Sequence, residues 1–462
     1  MTDKEEDAIL NKIGRAKISQ CMIVKNEEKN IVQALSWGKG IVAEQIVVDT
    51  GSTDRTVEIA QEMGAKVYSF PWINDFSAAK NFAIGKARYS WIAFLDADEY
   101  FSGEDAKKLL SLLEKLHPHA CDGVETRLIN LGDEGKVISM DTQIRIFRNQ
   151  PDLRYVRKIH EHLVAADGRN LRIWSAVGDL SIYHTGYAQN EMQNKKSSQR
   201  NLSLILEELK ENTENYEMYG YLGNEYEALE EWDKAKEAYQ KAIALMPESL
   251  YGKYDMETSG FVFRLLELMT VFPGNEKSDI LALYQRAVKG WPEEGNYDYL
   301  LGKYYAGCHL FGEAEHYLEQ ALDKLEKRKN PQCCTLISAN IMKFYELLAM
   351  CCLNCGNRNG CVKYTSALLK ENPYLMTTIM LFISAFHQDM AAMGRETEGA
   401  GEVAALLGRS FYDFQSLKDR MFVLRAAMDV GYPALVEVIR ALFSPEELEQ
   451  VDRALNQNKG GA

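Results

Sequence analysis

Trp91-Ile92-Ala93-Phe94-Leu95-Asp96-Ala97-Asp98-Glu99 decides the reading of this chain. The apolar run Trp91–Leu95 has the composition of a strand buried on both faces. It runs directly into two aspartates separated by one residue. At a strand end both carboxylates can face one hard cation, and Mg2+ or Mn2+ takes oxygen ligands and bridges to phosphate. The plainer reading of the same residues is an acidic loop with a helix-capping aspartate.

Working outward, strands and helices alternate. Ile18–Val24, Gln45–Asp49 (QIVVD) and Lys66–Phe70 read as strands; Glu27–Gly38, Thr53–Met63 (closed by Gly64) and Ala78–Ala87 read as helices. This alternation predicts an α/β domain whose parallel sheet carries helices on both faces, with ligands beyond the carboxyl ends of the strands. Two further polar clusters fall at such ends. Asp49-Thr50-Gly51-Ser52-Thr53-Asp54 has a glycine for a tight turn, and Thr53 or Asp54 can cap the next helix. Asp49, with Ser52 beside it, can also hold a nucleoside at the sheet edge. Lys25-Asn26-Glu27-Glu28 puts a carboxylate where ribose hydroxyls can bind.

Together these clusters resemble the family 2 glycosyltransferases, which have the GT-A (Rossmann-like) fold. The matching stretches are Cys21–Glu28 (CMIVKNEE), Val47–Thr56 (VVDTGSTDRT), Phe76–Ile84 (FSAAKNFAI) and Trp91–Glu99. The resemblance implies an inverting hexosyl-type transfer from a nucleoside-diphosphate sugar, with UDP the commonest donor nucleotide, and one divalent cation, Mn2+ or Mg2+. It makes Glu27 and Asp49 nucleoside contacts and Lys80 a basic residue near the nucleotide. Asp96 and Asp98 become the metal and ribose pair, Asp98 leading as direct ligand.

The likeness continues through Arg145-Ile146-Phe147-Arg148, Ile159-His160-Glu161 and His184-Thr185-Gly186-Tyr187. These are similar to the branch that includes lipopolysaccharide-core glucosyltransferases. An inverting transferase needs one base to deprotonate the acceptor. Glu161 is the first candidate, His160 the second and Asp141 the third; a surface carboxylate is the plain alternative for Glu161. His184 either completes the metal site, touches the diphosphate, or is a hydrogen-bonded core histidine. Arg145 and Arg148 either hold phosphate or acceptor, or pair with the acidic loop.

From Tyr216 strand signals stop. Tyr219, Leu222-Gly223, Tyr226, Ala235, Tyr239, Ala242 and Pro247 follow the tetratricopeptide pattern, a unit of about 34 residues in which Gly and Ala let two antiparallel helices approach. Less regular copies fall at Leu301-Gly302, Tyr305, Ala314, Leu318 and Ala321, and around Tyr345, Leu348, Ala349, Cys361 and Pro373. A degenerate unit has Tyr284, Ala287 and Trp291-Pro292. The expected organisation is a GT-A domain over 1–192, a helical linker over 193–215, an all-α tetratricopeptide-type repeat domain over 216–373 and a C-terminal helical region over 374–462, with a frayed tail after Asp452.

The 462-residue length favours more than one core, and a net charge of -14 argues against a nucleic-acid surface or avid binding to anionic membranes. The N-terminus Met1–Asp7 is polar, without an apolar leader, and Tyr374–Phe386 falls short of the ~20 residues of a spanning helix. A cytoplasmic protein with no integral membrane segment is expected. The nine cysteines include one CxxC, Cys352 and Cys355, with no second pair to complete a zinc site, so they read as filler between helices.

The partners implied are a nucleotide-sugar donor and an acceptor that is a glycan, a lipid-linked sugar or a peptide. The union of a GT-A domain with repeats resembles the S-glycosyltransferases of bacteriocin peptides, which are cytoplasmic and dimeric. Repeats form grooves for peptides and also mediate self-association, which leaves a homodimer through the repeats open. A competing class is an inactive scaffold, against which Asp96, Asp98 and a candidate base all stand. A nucleotidyltransferase would carry a Gly-rich basic loop, and residues 20–30 have none.

Overall fold

The computed structural model describes residues 16–116, 121–132, 135–185, 191–251, 256–330 and 332–457, without the side chains of 191–196, 256 and 452–457. Met1–Asp7, Gly186, Tyr187 and the last residues of the expected frayed tail lie outside the described residues. Two compact units result: Met1–Glu214 with Asn224–Glu231, and Asn215–Gly223 with Trp232–Ala462.

The first unit begins with β1 (Ile18–Val24), α1 (Ile31–Ser36), β2 (Glu44–Asp49), α2 (Thr56–Glu62), β3 (Lys66–Ser69), α3 (Phe76–Ile84) and β4 (Trp91–Phe94). These four strands are parallel, in the order β3-β2-β1-β4. Their alternate side chains feed two cores. Cys21, Ile46, Val48, Ile92 and Phe94 pack with Ala83 of α3, while Met22, Val24 and Val47 pack with Ile31, Leu35 and Ala60 of α1 and α2. Burial on both faces is why the strands read as continuous apolar runs.

Beyond β4 the expected all-parallel sheet is corrected. The chain continues as β5 (Glu99–Phe101), α4 (Gly103–Leu116), β6 (Gly123–Leu131), β7 (Val137–Arg148), β8 (Leu153–Val156), β9 (His162–Ala165), β10 (Ile173–Ser175) and β11 (Ser181–His184). The sheet runs β3-β2-β1-β4-β7-β6-β11-β5, with β10 on β6, and β8-β9 form a separate pair. β7 is antiparallel to both β4 and β6, and β5 is antiparallel to β11. The physical reason is the connection: β6 and β7 are separated by too few residues for a crossover, so they must pair as a hairpin. Helix α5 (Glu191–Glu211) follows.

From Tyr216 on, the described chain is helical. Helices α6 (Tyr216–Ala228) and α7 (Trp232–Leu245) form the first hairpin, and α8 (Met256–Val271) with α9 (Lys277–Gly290) the second. α10 (Asn296–Gly307) with α11 (Phe311–Lys327) forms the third. After the short α12 (Thr335–Ala339) comes α13 (Ile341–Cys355) with α14 (Arg358–Glu371). The Leu-Gly signals have a steric cause. A Cβ at Gly223 would stand 2.4 Å from the Tyr239 ring, and one at Gly302 2.6 Å from Leu318. Only glycine lets those helix pairs close. The region after Pro373 continues as α15 (Met376–Ala392), α16 (Glu396–Ser410), α17 (Leu417–Val430), α18 (Pro433–Arg440) and α19 (Pro445–Gln457), around Phe382, Leu407, Val423, Tyr432 and Leu435. Among the described residues no helix is long and apolar enough to cross a membrane.

Candidate active site

A cavity of about 430 Å³ opens in the first unit at the carboxyl ends of β1 and β4. It is lined by Lys25 and Glu27 after β1, Thr50 after β2, Asp96 and Asp98 after β4, and Lys80 on α3. Arg145 on β7, the loop residues His160 and Glu161, and Trp72, Phe76, Arg200 and Asn201 complete it. Of the residues expected from sequence, it therefore gathers Glu27, Lys80, Asp96, Asp98, Arg145, His160 and Glu161.

Lys80 organises one wall. Its side chain is 3% exposed, with Nζ 2.7 Å from Glu161 Oε1 and 3.5 Å from Asp96 Oδ1. The Phe94 and Tyr155 rings each lie 5.1 Å from it. Burial acts to lower the lysine's affinity for its proton, but the Asp96 and Glu161 charges outweigh it and hold the ammonium well above its ordinary range. Arg145 does the same on the other side of Asp96. Its Nη2 donates to Asp96 Oδ2 at 2.8 Å and to Glu99 Oε1 at 2.5 Å. Burial pushes the Asp96 carboxyl up; Arg145 and Lys80 outweigh it and hold Asp96 well below the usual carboxylate range. Glu99 goes the other way, raised by burial and by Asp96 against the pull of Arg145. Glu99, visible in the sequence but assigned no role there, thus anchors Arg145, and its Oε2 also accepts from Asp96 N at 3.0 Å.

Asp98 faces elsewhere. Its Oδ2 lies 3.2 Å from His184 Nε2, and His184 Nδ1 lies 2.8 Å from Asn130 Oδ1. Burial lowers the His184 pKa, and Asp98 reverses this to a net rise. The pair fits a cation. Ligands at right angles about an ion at ~2.1 Å stand about 3 Å apart, close to the observed separation. Asn130 fixes the ring by accepting from Nδ1, which directs Nε2 at the cation position. Among the described residues no group of three or more His, Cys, Asp and Glu side chains is arranged to hold a metal. Asp98 and His184 are the residues that would hold a cation there, supplying two of its ligands. Asn130 carries no sequence signal; only the pairing of β6 with β11 puts it beside His184.

The remaining expected residues lie elsewhere. Asp49 accepts from Gly51 N at 3.2 Å and Ser52 N at 3.0 Å, and Ser52 Oγ accepts from Asn26 N at 2.9 Å. Neither lines the cavity; they brace the loops after β1 and β2. Glu27 Oε2 accepts from Asn30 at 2.8 Å, and burial raises its pKa. Asp54 accepts from Thr56 N at 3.0 Å, while the N-cap position itself is Arg55, without a side-chain cap. His160 has φ 50°, in the left-handed region, and burial lowers its pKa to about 4, so it is neutral at pH 7. Asp141 accepts from Asn130 Nδ2 at 2.9 Å. Arg145 pairs with the acidic loop, whereas Arg148 stacks on Trp91 and donates to the Leu116 and Cys121 carbonyls.

Residues 193–215, expected as a linker, hold most of α5. α5 up to Glu211 belongs to the first unit. Arg200 and Asn201 line the cavity, and Lys158 Nζ reaches Glu211 at 2.7 Å. Its polar composition suggested a connection because the partners of those polar groups are distant in sequence.

One cavity thus brings together Asp96 and Asp98 at a sheet edge and the ion pair of Glu161 with the buried Lys80. Residues 19–170 match the family model for Glycosyl transferase family 2, and residues 216–249 match that for the tetratricopeptide repeat. The family 2 match thus falls on the stretch from β1 to β9, and the tetratricopeptide match on helices α6 and α7. It is 37% identical over 191 residues to a TPR repeat-containing protein of Synechococcus elongatus, covering 40% of this chain and 46% of that protein. It is 31% identical over 224 residues to the SPbeta prophage-derived glycosyltransferase SunS of Bacillus subtilis, covering 48% and 52%. The chain spans about half the length of these curated relatives. A solved structure, S. aureus TarS 1-349, aligns at 16% identity and a TM-score of 0.33 over 60% of this chain and 91% of that one.

Proposed function

We propose that this chain is an inverting, metal-dependent glycosyltransferase that takes a sugar from a nucleoside-diphosphate sugar, with UDP the first nucleotide to test. The observation that carries this is the cavity in which Asp98, seated against His184, and Glu161, seated against Lys80, line a common space. Glu27 and Asp96 face the nucleoside end. Asp98 and His184 would hold Mn2+ or Mg2+, which would supply charge neutralisation for the diphosphate. Glu161 takes the proton of the acceptor nucleophile as it attacks the anomeric carbon opposite the diphosphate. The bond from that carbon to the diphosphate oxygen breaks, its electron pair leaves with the phosphate, and the configuration inverts. Lys80, 2.7 Å from Glu161, aims its carboxylate. His160, neutral and weakly basic, shapes the loop rather than accepting the proton.

Calorimetry with UDP and other nucleoside diphosphates, with Mn2+ or with EDTA, tests this. Binding is expected only with the cation and lost in Asp98→Ala. Glu161→Gln is expected to bind normally and lose turnover. No metal-dependent binding of any nucleoside diphosphate overturns the reading.

A further inference from the structure

The cations of the cavity are not equivalent. Lys80 is occupied by Glu161 and Asp96, and Arg145 by Asp96 and Glu99. Lys25 lies exposed at the end of β1, on the nucleoside side. Arg200 is different. Among the described residues no carboxylate lies within ion-pair distance of it, the Glu225 charge acting on it from further off, although it lines the cavity. Its Nε and Nη2 donate to one neutral acceptor, Asn201 Oδ1, at 3.3 and 3.0 Å. The guanidinium lies 5.3 Å over the Phe76 ring. Asn201 is itself oriented, because its Nδ2 donates to Glu225 Oε1 at 2.9 Å. Arg200 is thus a guanidinium held by stacking and an amide, with Nη1 left for a ligand. Such a planar fork suits an oxyanion.

Its place says which substrate. Phe76 opens α3 and Lys80 lies one helical turn further on. The loop that carries Glu161 is tied to this helix end: Phe76 N donates to the Lys158 carbonyl at 2.9 Å, and Ser77 Oγ to the Arg157 carbonyl at 2.5 Å. Arg200 therefore belongs to the Glu161 side of the cavity. The cation seat is tied to another element, β11, through His184 and through Thr185 N, which donates to the Asp98 carbonyl at 3.0 Å. Trp72 packs edge-on against Phe76, with ring centroids 4.8 Å apart, and adds an apolar wall on the Arg200 side.

We propose that Arg200 is an anion anchor for the acceptor: the acceptor carries a phosphate or carboxylate that binds Arg200, with its body against Trp72 and Phe76 and its nucleophile at Glu161. This rests on the transferase reading of the cavity.

The test uses the full chain and two probes, inorganic phosphate and acetate, followed by tryptophan fluorescence and, for phosphate, by phosphorus-31 line width. Titrations are run with and without saturating UDP and Mn2+, on wild type, Arg200→Gln and Arg200→Lys, with circular dichroism checking the fold. The expected result is binding that persists beside UDP, weakens about tenfold or more in Arg200→Gln, and recovers in part in Arg200→Lys. Tighter binding of phosphate than acetate names a phosphorylated acceptor; the reverse names a carboxylate. Competition between the probes and UDP, or loss of UDP affinity in Arg200→Gln, assigns Arg200 to the donor diphosphate and overturns the proposal. Equal or absent probe binding in wild type and Arg200→Gln also overturns it. A wild type that binds a probe through Arg200 but never binds any nucleoside diphosphate refutes the transferase reading and leaves the anion seat standing.

Discussion

Lys80→Met is the most informative single change. It keeps the unbranched apolar stem between the Phe94 and Tyr155 rings and removes the charge alone. At 2.7 Å and an effective dielectric of about 20, the Lys80–Glu161 attraction is about 6 kcal/mol before desolvation. Breaking a buried pair by removing one partner costs about 3–5 kcal/mol net. Glu161 is 15% exposed, so water reaches it, and Asp96 keeps Arg145. The low end, about 3 kcal/mol, is therefore expected. For a unit of this size that lowers Tm by roughly 6–12 °C. Glu161 also loses the contact that aims it, so kcat falls. Scanning calorimetry and donor turnover read both effects. A variant with Tm within a degree of wild type and an unchanged kcat would refute the bridging role of Lys80.

Three further outcomes follow from other contacts. Asn130→Ala removes the group that orients His184, and Mn2+-dependent UDP affinity is expected to fall about 10- to 100-fold with the fold intact, measured by calorimetry. Gly223→Ala drives a methyl into the Tyr239 ring and is expected to destabilise the second unit by about 1–3 kcal/mol, read by denaturant unfolding followed at the helical signal. Asp122 is fully buried and held by Arg169 and Arg172, which keep its carboxyl well below the ordinary range. Its folded pKa is depressed, so its stabilisation is present above the unfolded value near ~4 and is lost as pH falls through the lower folded value. Asp122→Asn should therefore lower Tm at pH 7, with the gap to wild type narrowing below about pH 4.

The strands β1, β2 and β4 were legible because burial on both faces writes itself into short apolar runs, and β1 and β4 end in residues that line the cavity. The first tetratricopeptide unit was legible because helix contact demands glycine at a fixed offset. What the sequence concealed is long-range. Arg145 meets Asp96 across β4 and β7, and His184 meets Asn130 across β11 and β6; no local period encodes either pairing. The antiparallel β7 was hidden because its first half is exposed and mixed in character. Asp49 shows a second, local role that its place at a strand end does not reveal: the amides of its own turn engage its carboxylate.

The central claim is tested most directly by turnover. The protein is incubated with a panel of nucleoside-diphosphate sugars, with Mn2+ or with EDTA, and released nucleoside diphosphate is measured for wild type and Asp98→Ala. The account predicts slow release from one donor, dependent on the cation and absent in Asp98→Ala. Release that is indifferent to both the cation and Asp98, or none from any donor alongside no metal-dependent nucleotide binding, would contradict it.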